Sequence, residues 1–180
     1  MTFKKILPLA LILTSPFTMA GDFTPPTNYS IHYDSATIST AAGLEADANV
    51  FSFGINNYYT NNLSTKFYLG MGAGDSEASV NGVDTRDKVR VNYMASADVR
   101  YELPLSNSFS SYVLVGATFI DIKTTEDILN EKRSDFGMKY GVGLSWAVGD
   151  YTAFYAEVNQ NLYKSDFEVQ SFSAGFKFTF

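Results

Sequence analysis

Along most of this chain apolar and polar residues alternate one by one. The last eleven residues show the pattern best. Phe172, Ala174, Phe176, Phe178 and Phe180 share one face of an extended strand, and Ser171, Ser173, Gly175, Lys177 and Thr179 share the other. A period of two, aromatic on one side and polar on the other, predicts a transmembrane β-strand with lipid outside and a polar interior. Residues 49–59 repeat it with Phe51, Phe53 and Ile55 outward. Residues 65–74 put Phe67, Leu69, Met71 and Ala73 out and Lys66, Tyr68, Gly70 and Gly72 in. Residues 89–101 alternate without a break: Val89, Val91, Tyr93, Ala95, Ala97, Val99 and Tyr101 face out, while Arg90, Asn92, Met94, Ser96, Asp98, Arg100 and Glu102 face in. Phe136, Met138, Tyr140, Val142, Leu144 and Trp146 form a sixth outward row, and Phe154, Ala156 and Val158 oppose Tyr155, Glu157 and Asn159 in a seventh strand. Residues 29–40 alternate weakly. Residues 112–122 are apolar on both faces, and Val113, Val115, Ala117 and Phe119 are assigned outward because Gly116 and Thr118 then lie inside.

The pattern predicts eight antiparallel strands. No stretch after the N-terminal segment is long and apolar enough for a membrane helix, so a chain that crosses the bilayer must do so as a closed barrel. The connections alternate in character. Residues 60–64, 104–108 and 149–150 are short, whereas those after the first, third, fifth and seventh strands are mostly longer and acidic. Short periplasmic turns and longer external loops belong to this architecture. The expected fold is therefore an all-β, eight-stranded antiparallel transmembrane β-barrel with both termini periplasmic. Asn81-Gly82 is a two-residue hairpin signal. It sets Asp75 opposite Lys88 and Glu77 opposite Arg86, two opposite-charge pairs. That register pairs odd positions with even ones, yet both flanking strands put odd positions outward. A bulge near residues 74–89, or a wider tip, must absorb the mismatch.

The N-terminus adds an address. Lys4 and Lys5, the apolar run from Ile6 to Leu13 and the small residues before Ala20/Gly21 read as a secretory signal peptide over residues 1–20, leaving a barrel domain over 21–180. The chain has no cysteine, which excludes disulfides, thiolate metal sites and a lipoprotein anchor. Removing Lys4 and Lys5 from 13 Lys+Arg leaves 11 against 19 Asp+Glu, a net charge of −8 that disfavours nucleic acid and other polyanions as partners.

The inward positions hold candidate chemistry. Lys66, Arg90, Asp98, Arg100, Glu102, Lys139, Glu157 and Lys177 form a nearly balanced charge set, with Asp34 a further member from the weak first strand. An eight-stranded barrel is just wide enough for side chains to fill. Opposed charges there would pair and close the lumen, while charge of one dominant sign would line a selective pore. Tyr59, Phe67, Tyr101, Trp146, Phe178 and Phe180 fall at the periplasmic ends of strands, and Phe51, Tyr93, Phe119, Phe136 and Phe172 lie further out, as two interfacial girdles. His32 is the sole histidine. It lies toward the opposite end from Asp75 and Ser76, so no catalytic triad is expected. No metal-ligand motif appears, and no cofactor is expected.

The segment Ser134-Asp135-Phe136-Gly137-Met138-Lys139-Tyr140-Gly141-Val142-Gly143-Leu144 resembles the sixth strand of the OmpX/Ail group within the OmpA-like eight-stranded outer-membrane barrels. Residues 112–122, followed by Thr124-Thr125-Glu126, resemble that group's fifth strand and third loop. The aromatic terminus, Phe172, Phe176, Phe178 and Phe180, resembles the signal read by the outer-membrane assembly machinery. The resemblance implies a non-enzymatic monomer in the Gram-negative outer membrane, in contact with lipid and lipopolysaccharide, with a structural or adhesive role through its external loops. Relatives that bind host molecules use basic loop residues, and the loops here are acidic. A narrow porin-like channel is the alternative, and a lipid A-modifying enzyme the third reading.

Overall fold

A computed structural model describes residues 27–41, 43–125, 130–164 and 167–180. The signal peptide, with Ala20 and Gly21, lies outside the described residues. Nine strand segments appear among them: β1 Thr27–Thr40, β2 Leu44–Tyr58, β3 Leu63–Gly72, β4 Ser76–Val80, β5 Val83–Pro104, β6 Phe109–Thr125, β7 Asn130–Gly149, β8 Thr152–Tyr163 and β9 Phe167–Thr179. Each pairs antiparallel with its neighbours, and β1 pairs with both β2 and β9, so the sheet closes on itself. β3 and β4 occupy one position between β2 and β5, one above the other. The result is the expected eight-stranded closed barrel. Asn28 and Thr179 are ladder partners, which places the start of β1 and the finish of β9 at the end that carries the short turns.

The alternation predicted for the wall holds over most of it. Phe51, Phe53, Leu69, Met71, Val113, Val115, Met138, Val142 and Phe172 are exposed on the outer wall. The two weak segments follow the same rule. In β1, Asn28, Ser30, His32 and Asp34 are buried while Tyr29, Ile31 and Tyr33 are exposed. In β6, Tyr112, Leu114 and Thr118 are buried inside, so Val113 and Val115 face out as assigned. Ring pairs gather at two heights. Phe109 stacks on Trp146 at 5.6 Å and Phe154 meets Phe176 at 5.6 Å near the turn end, while Tyr33–Phe51 (5.1 Å) and Tyr93–Phe119 (5.7 Å) lie toward the other.

The end opposite the short turns, the outer end in the expected orientation, departs from expectation in three ways. Segments read as long acidic loops are strand. β2 begins at Leu44, so Glu45 and Asp47 sit in register with Ser39 and Thr37, and β5 runs for 22 residues where about ten would cross a bilayer. The charged outward residues that suggested loops are the solvated face of a ladder that continues past the apolar belt.

The register conflict at the hairpin is resolved by irregularities. The tip keeps its two residues, with Val80 opposite Val83 and with Asn81 (φ 51°) and Gly82 (φ 77°) both left-handed, as a type I′ turn requires. A shift between Glu77 and Ser79, inside the expected window, then sets Glu77 opposite Lys88 and not Arg86. Asp75 meets Arg90 at 3.8 Å and not Lys88.

A second shift at Val91–Tyr93 inserts Asn92 into β5 opposite β6. One extra residue flips the faces of everything beyond it. Val89 and Val91 are therefore buried in the lumen, and Arg90, expected inside, lies on the outer wall with its side chain 53% exposed. The bulge is closed by side chains: Asn92 Nδ2 donates to Asp121 Oδ1 at 2.6 Å, and Ser134 Oγ donates to Asp121 Oδ2 at 2.5 Å.

Candidate functional site

Inward positions of eight strands converge on a lumen too narrow to stay empty. Near the turn end, Arg100 Nη2 lies 2.8 Å and Lys177 Nζ 3.5 Å from Glu102 Oε1, and the Tyr58 hydroxyl donates to the same oxygen at 2.7 Å. Midway up, Lys66 Nζ sits 3.3 Å from Glu157 Oε2, while Lys139 Nζ lies 3.1 Å from Asp98 Oδ2 and 3.4 Å from Glu157 Oε1. Glu157 also accepts hydrogen bonds from the Tyr112 hydroxyl at 3.0 Å and Asn159 Nδ2 at 2.9 Å. Of the eight expected lumen charges, seven are thus brought into two linked clusters. Arg90 is not, because the bulge turns it outward.

Three lumen tyrosines line the same space. Lys66 lies over Tyr155 at 4.9 Å, Lys139 over Tyr68 at 4.6 Å, and the Arg100 guanidinium over Tyr112 at 3.2 Å. Each ring face offers its negative quadrupole to a buried cation. Tyr112 fits because its neighbour across the ladder is Gly143, where an added Cβ would overlap the ring. The alternation puts these rings inside, but their partnerships follow from cross-lumen distances that no periodicity records.

Sequence reasoning named Asp34 as a further lumen charge but not the third polar cluster it forms. His32 Nε2 stands 3.4 Å from Asp34 Oδ2, which accepts from Ser52 Oγ at 2.9 Å, and Asp34 Oδ1 accepts from Ser173 Oγ. His32 and Asp34 are 4% and 3% exposed, so no substrate reaches them. Asp75 and Ser76 lie at the outer end, remote from His32. Among the described residues no group of three or more His, Cys, Asp or Glu could hold a metal ion.

The lumen is not polar throughout, as the alternation had suggested. Toward the outer end its filling is apolar: Ile38, Ala46, Ala48, Val50, Val89, Val91, Met94, Ile120, Ile122 and Val169 form one buried cluster with Tyr163 and Phe167. Tyr163 and Phe167 stack at 4.5 Å, and Arg133 lies over Phe167 at 5.5 Å. The barrel is therefore filled twice over, by a layer of paired charges and by an apolar layer beyond it. An ion crossing it would have to break the first and dehydrate in the second.

The aromatic terminus lies on the outer wall. Phe172 and Phe176 are 53% and 44% exposed, and Phe180 projects almost fully free beyond the end of β9.

Comparison with known proteins agrees with this architecture. A family model described as "Outer membrane protein beta-barrel domain" matches residues 6–180. No curated protein matches the chain in sequence. Among solved structures, the chain is similar to Ail, the attachment invasion locus protein of Yersinia pestis, crystallised with the heparin analogue sucrose octasulfate. The identity is 19%, the TM-score 0.63, and the match covers 88% of this chain and 100% of that one. It is similar also to Neisserial surface protein A, at 14% identity and TM-score 0.68, covering 86% and 97%. The N-terminal barrel domain of Pseudomonas aeruginosa OprF matches at 13% identity and TM-score 0.59, covering 84% and 97%. At these identities the likeness carries the fold alone.

Proposed function

Since the chain belongs to the outer membrane protein β-barrel family and so resides in the outer membrane, we propose that it is a closed, non-conducting barrel with a structural or surface-adhesive role exercised at its outer end. The observation that carries this reading is the lumen. Lys66, Asp98, Lys139 and Glu157 are at most 2% exposed, paired in one cluster and covered by the apolar layer on the outer side. A pore needs a wetted path with charge of one sign, and a hydrolase needs an accessible nucleophile beside its base. The lumen offers neither.

What is accessible is the outer end. β5, β6 and β7 continue beyond the apolar belt, and the β4–β5 hairpin carries exposed charged residues on a hydrogen-bonded ladder. Such a platform suits contact with another surface better than flexible loops do, because little order is lost on binding. In this reading the turn end and both termini face the periplasm, residues 1–20 are removed after Ala20, and Phe172, Phe176, Phe178 and Phe180 guide assembly as a monomer in contact with lipid and lipopolysaccharide.

The test is to display the protein on a barrel-deficient Gram-negative host and compare it with a variant whose residues 76–87 are replaced by a minimal turn. Loss of cell attachment or envelope resistance with the barrel still folded supports the reading. An unchanged phenotype in that variant, or one lost only when lumen residues are substituted, overturns it.

A further inference from the structure

At the end opposite the short turns, two hairpin tips touch. Val80 in the β4–β5 hairpin pairs with Leu44 at the start of β2. Asn81, the first loop residue, donates its backbone N–H to the Gly43 carbonyl at 2.9 Å. Gly43 is left-handed (φ 79°), and a Cβ built on it would overlap Asn81 Oδ1. One backbone hydrogen bond and one side-chain contact on a bare glycine thus latch the β4–β5 tip to the turn between β1 and β2.

The residue that makes this latch is also placed to react. A backbone nitrogen can attack the side-chain carbonyl of the asparagine before it, because the ring that forms has five members. A side chain on the attacking residue hinders the approach, and so does a hydrogen bond that holds the attacking nitrogen. Asn81 precedes Gly82, and no other asparagine in the chain precedes a glycine. Gly82 is exposed, and nothing lies within 4 Å of where its Cβ would stand. As the second residue of a two-residue loop, it lies outside the Val80–Val83 ladder pair. Asn28, Asn56, Asn159 and Asn161, by contrast, are buried within regular strands.

We propose that Asn81 is a self-modifying site whose conversion releases the latch. The Gly82 nitrogen bonds to Asn81 Cγ and the Cγ–Nδ2 bond breaks. The proton from the Gly82 nitrogen passes through water to the departing nitrogen, which leaves as ammonia. One water then opens the cyclic imide. Opening at Cγ gives aspartate; opening at the main-chain carbonyl leaves Gly82 joined through Cγ, as isoaspartate. Isoaspartate adds a methylene to the backbone of a turn that has room for two residues only, so the Val80–Val83 pair and the bond to Gly43 cannot both persist. Either product also adds a carboxylate to a tip where Asp84 and Glu45 already flank Ser79 from both sides.

The test follows the whole mature protein, refolded in detergent micelles and incubated at mildly alkaline pH. Peptides are mapped by mass spectrometry at intervals, with electron-transfer fragmentation to separate isoaspartate from aspartate. Asn81 should convert at least about fivefold faster than any other asparagine, a barrier lower by about 1 kcal/mol. Gly82→Ala should slow that conversion at least about fivefold. Asn81→Gln, whose longer arm disfavours ring closure, should abolish it. All three proteins should give the same heat-modifiable band. Amide hydrogen exchange of the segment 79–84 should rise after conversion. Conversion at Asn81 no faster than at Asn107, which precedes Ser108, overturns the site. So does undiminished conversion in Gly82→Ala, because the bare nitrogen of residue 82 would then not set the rate. Conversion with unchanged exchange overturns the release of the latch.

Discussion

Replacing Glu157 with glutamine removes one negative charge from the centre of the lumen without changing its shape. Tyr112 and Asn159 donate to different oxygens of Glu157, so the amide keeps only one of these two bonds through its single oxygen, and Lys139 keeps Asp98 at 3.1 Å. Lys66 is the residue left stranded. Its described ion pair runs to Glu157, its side chain is 1% exposed, and the remaining support is the two ring faces of Tyr68 and Tyr155. Removing one member of a buried pair costs about 3–5 kcal/mol, because the partner charge stays buried. The two ring faces over Lys66 and the one retained hydrogen bond put the expected loss at the lower end, about 3 kcal/mol. With a urea dependence of about 2 kcal/mol per molar, the unfolding midpoint should fall by about 1.5 M. The assay is urea unfolding of the refolded barrel in vesicles, followed by the heat-modifiable gel shift. Adding Lys66→Met to Glu157→Gln removes the stranded charge and should recover a large part of the loss. A midpoint within about 0.3 M of wild type for Glu157→Gln, or a double variant less stable than the single one, would refute the reasoning.

Three further outcomes are expected. Arg90→Ala should lower the unfolding free energy by no more than about 0.5 kcal/mol, since its pair with Asp75 is half-exposed and long; a loss of several kcal/mol would mean that Arg90 lies inside after all. Gly143→Ala should destabilise by about 1–3 kcal/mol by driving a methyl into the Tyr112 ring, and the gel-shift midpoint would show it. Deleting Phe180 should slow insertion in cells and raise the unassembled periplasmic fraction in a pulse-chase experiment, with little effect on the midpoint of protein refolded in vitro.

The outer wall was legible in the sequence because lipid enforces it. A polar group among Phe51, Leu69, Val115 and Phe172 would be costly, so the period of two is strict there. Above the belt that pressure stops. Glu45 and Asp47 face water from a regular ladder, and a polar strand of this kind has the composition of a loop. The hairpin held enough information to show that one register could not run from tip to belt, because Asn81-Gly82 and the odd-outward rows disagreed in parity. It could not place every irregularity. Asn92 looks like any other inward polar residue, yet its insertion turns Arg90 out and Val89 in. The lumen charges could be enumerated by parity but not paired, since Lys66 meets Glu157 across 91 residues of chain. The apolar layer went unseen because Ala46, Ala48 and Ile38 sit in segments whose outward faces are polar, so their alternation is the reverse of that in the belt.

The central claim is that the lumen is closed. The direct measurement is current through planar bilayers holding the purified, refolded mature protein, with folding verified by heat-modifiability. The account predicts silence at moderate voltage, because paired charges and a buried apolar layer lie in series. Steady small channels with an ion preference would contradict it and would make the lumen charges the lining of a path.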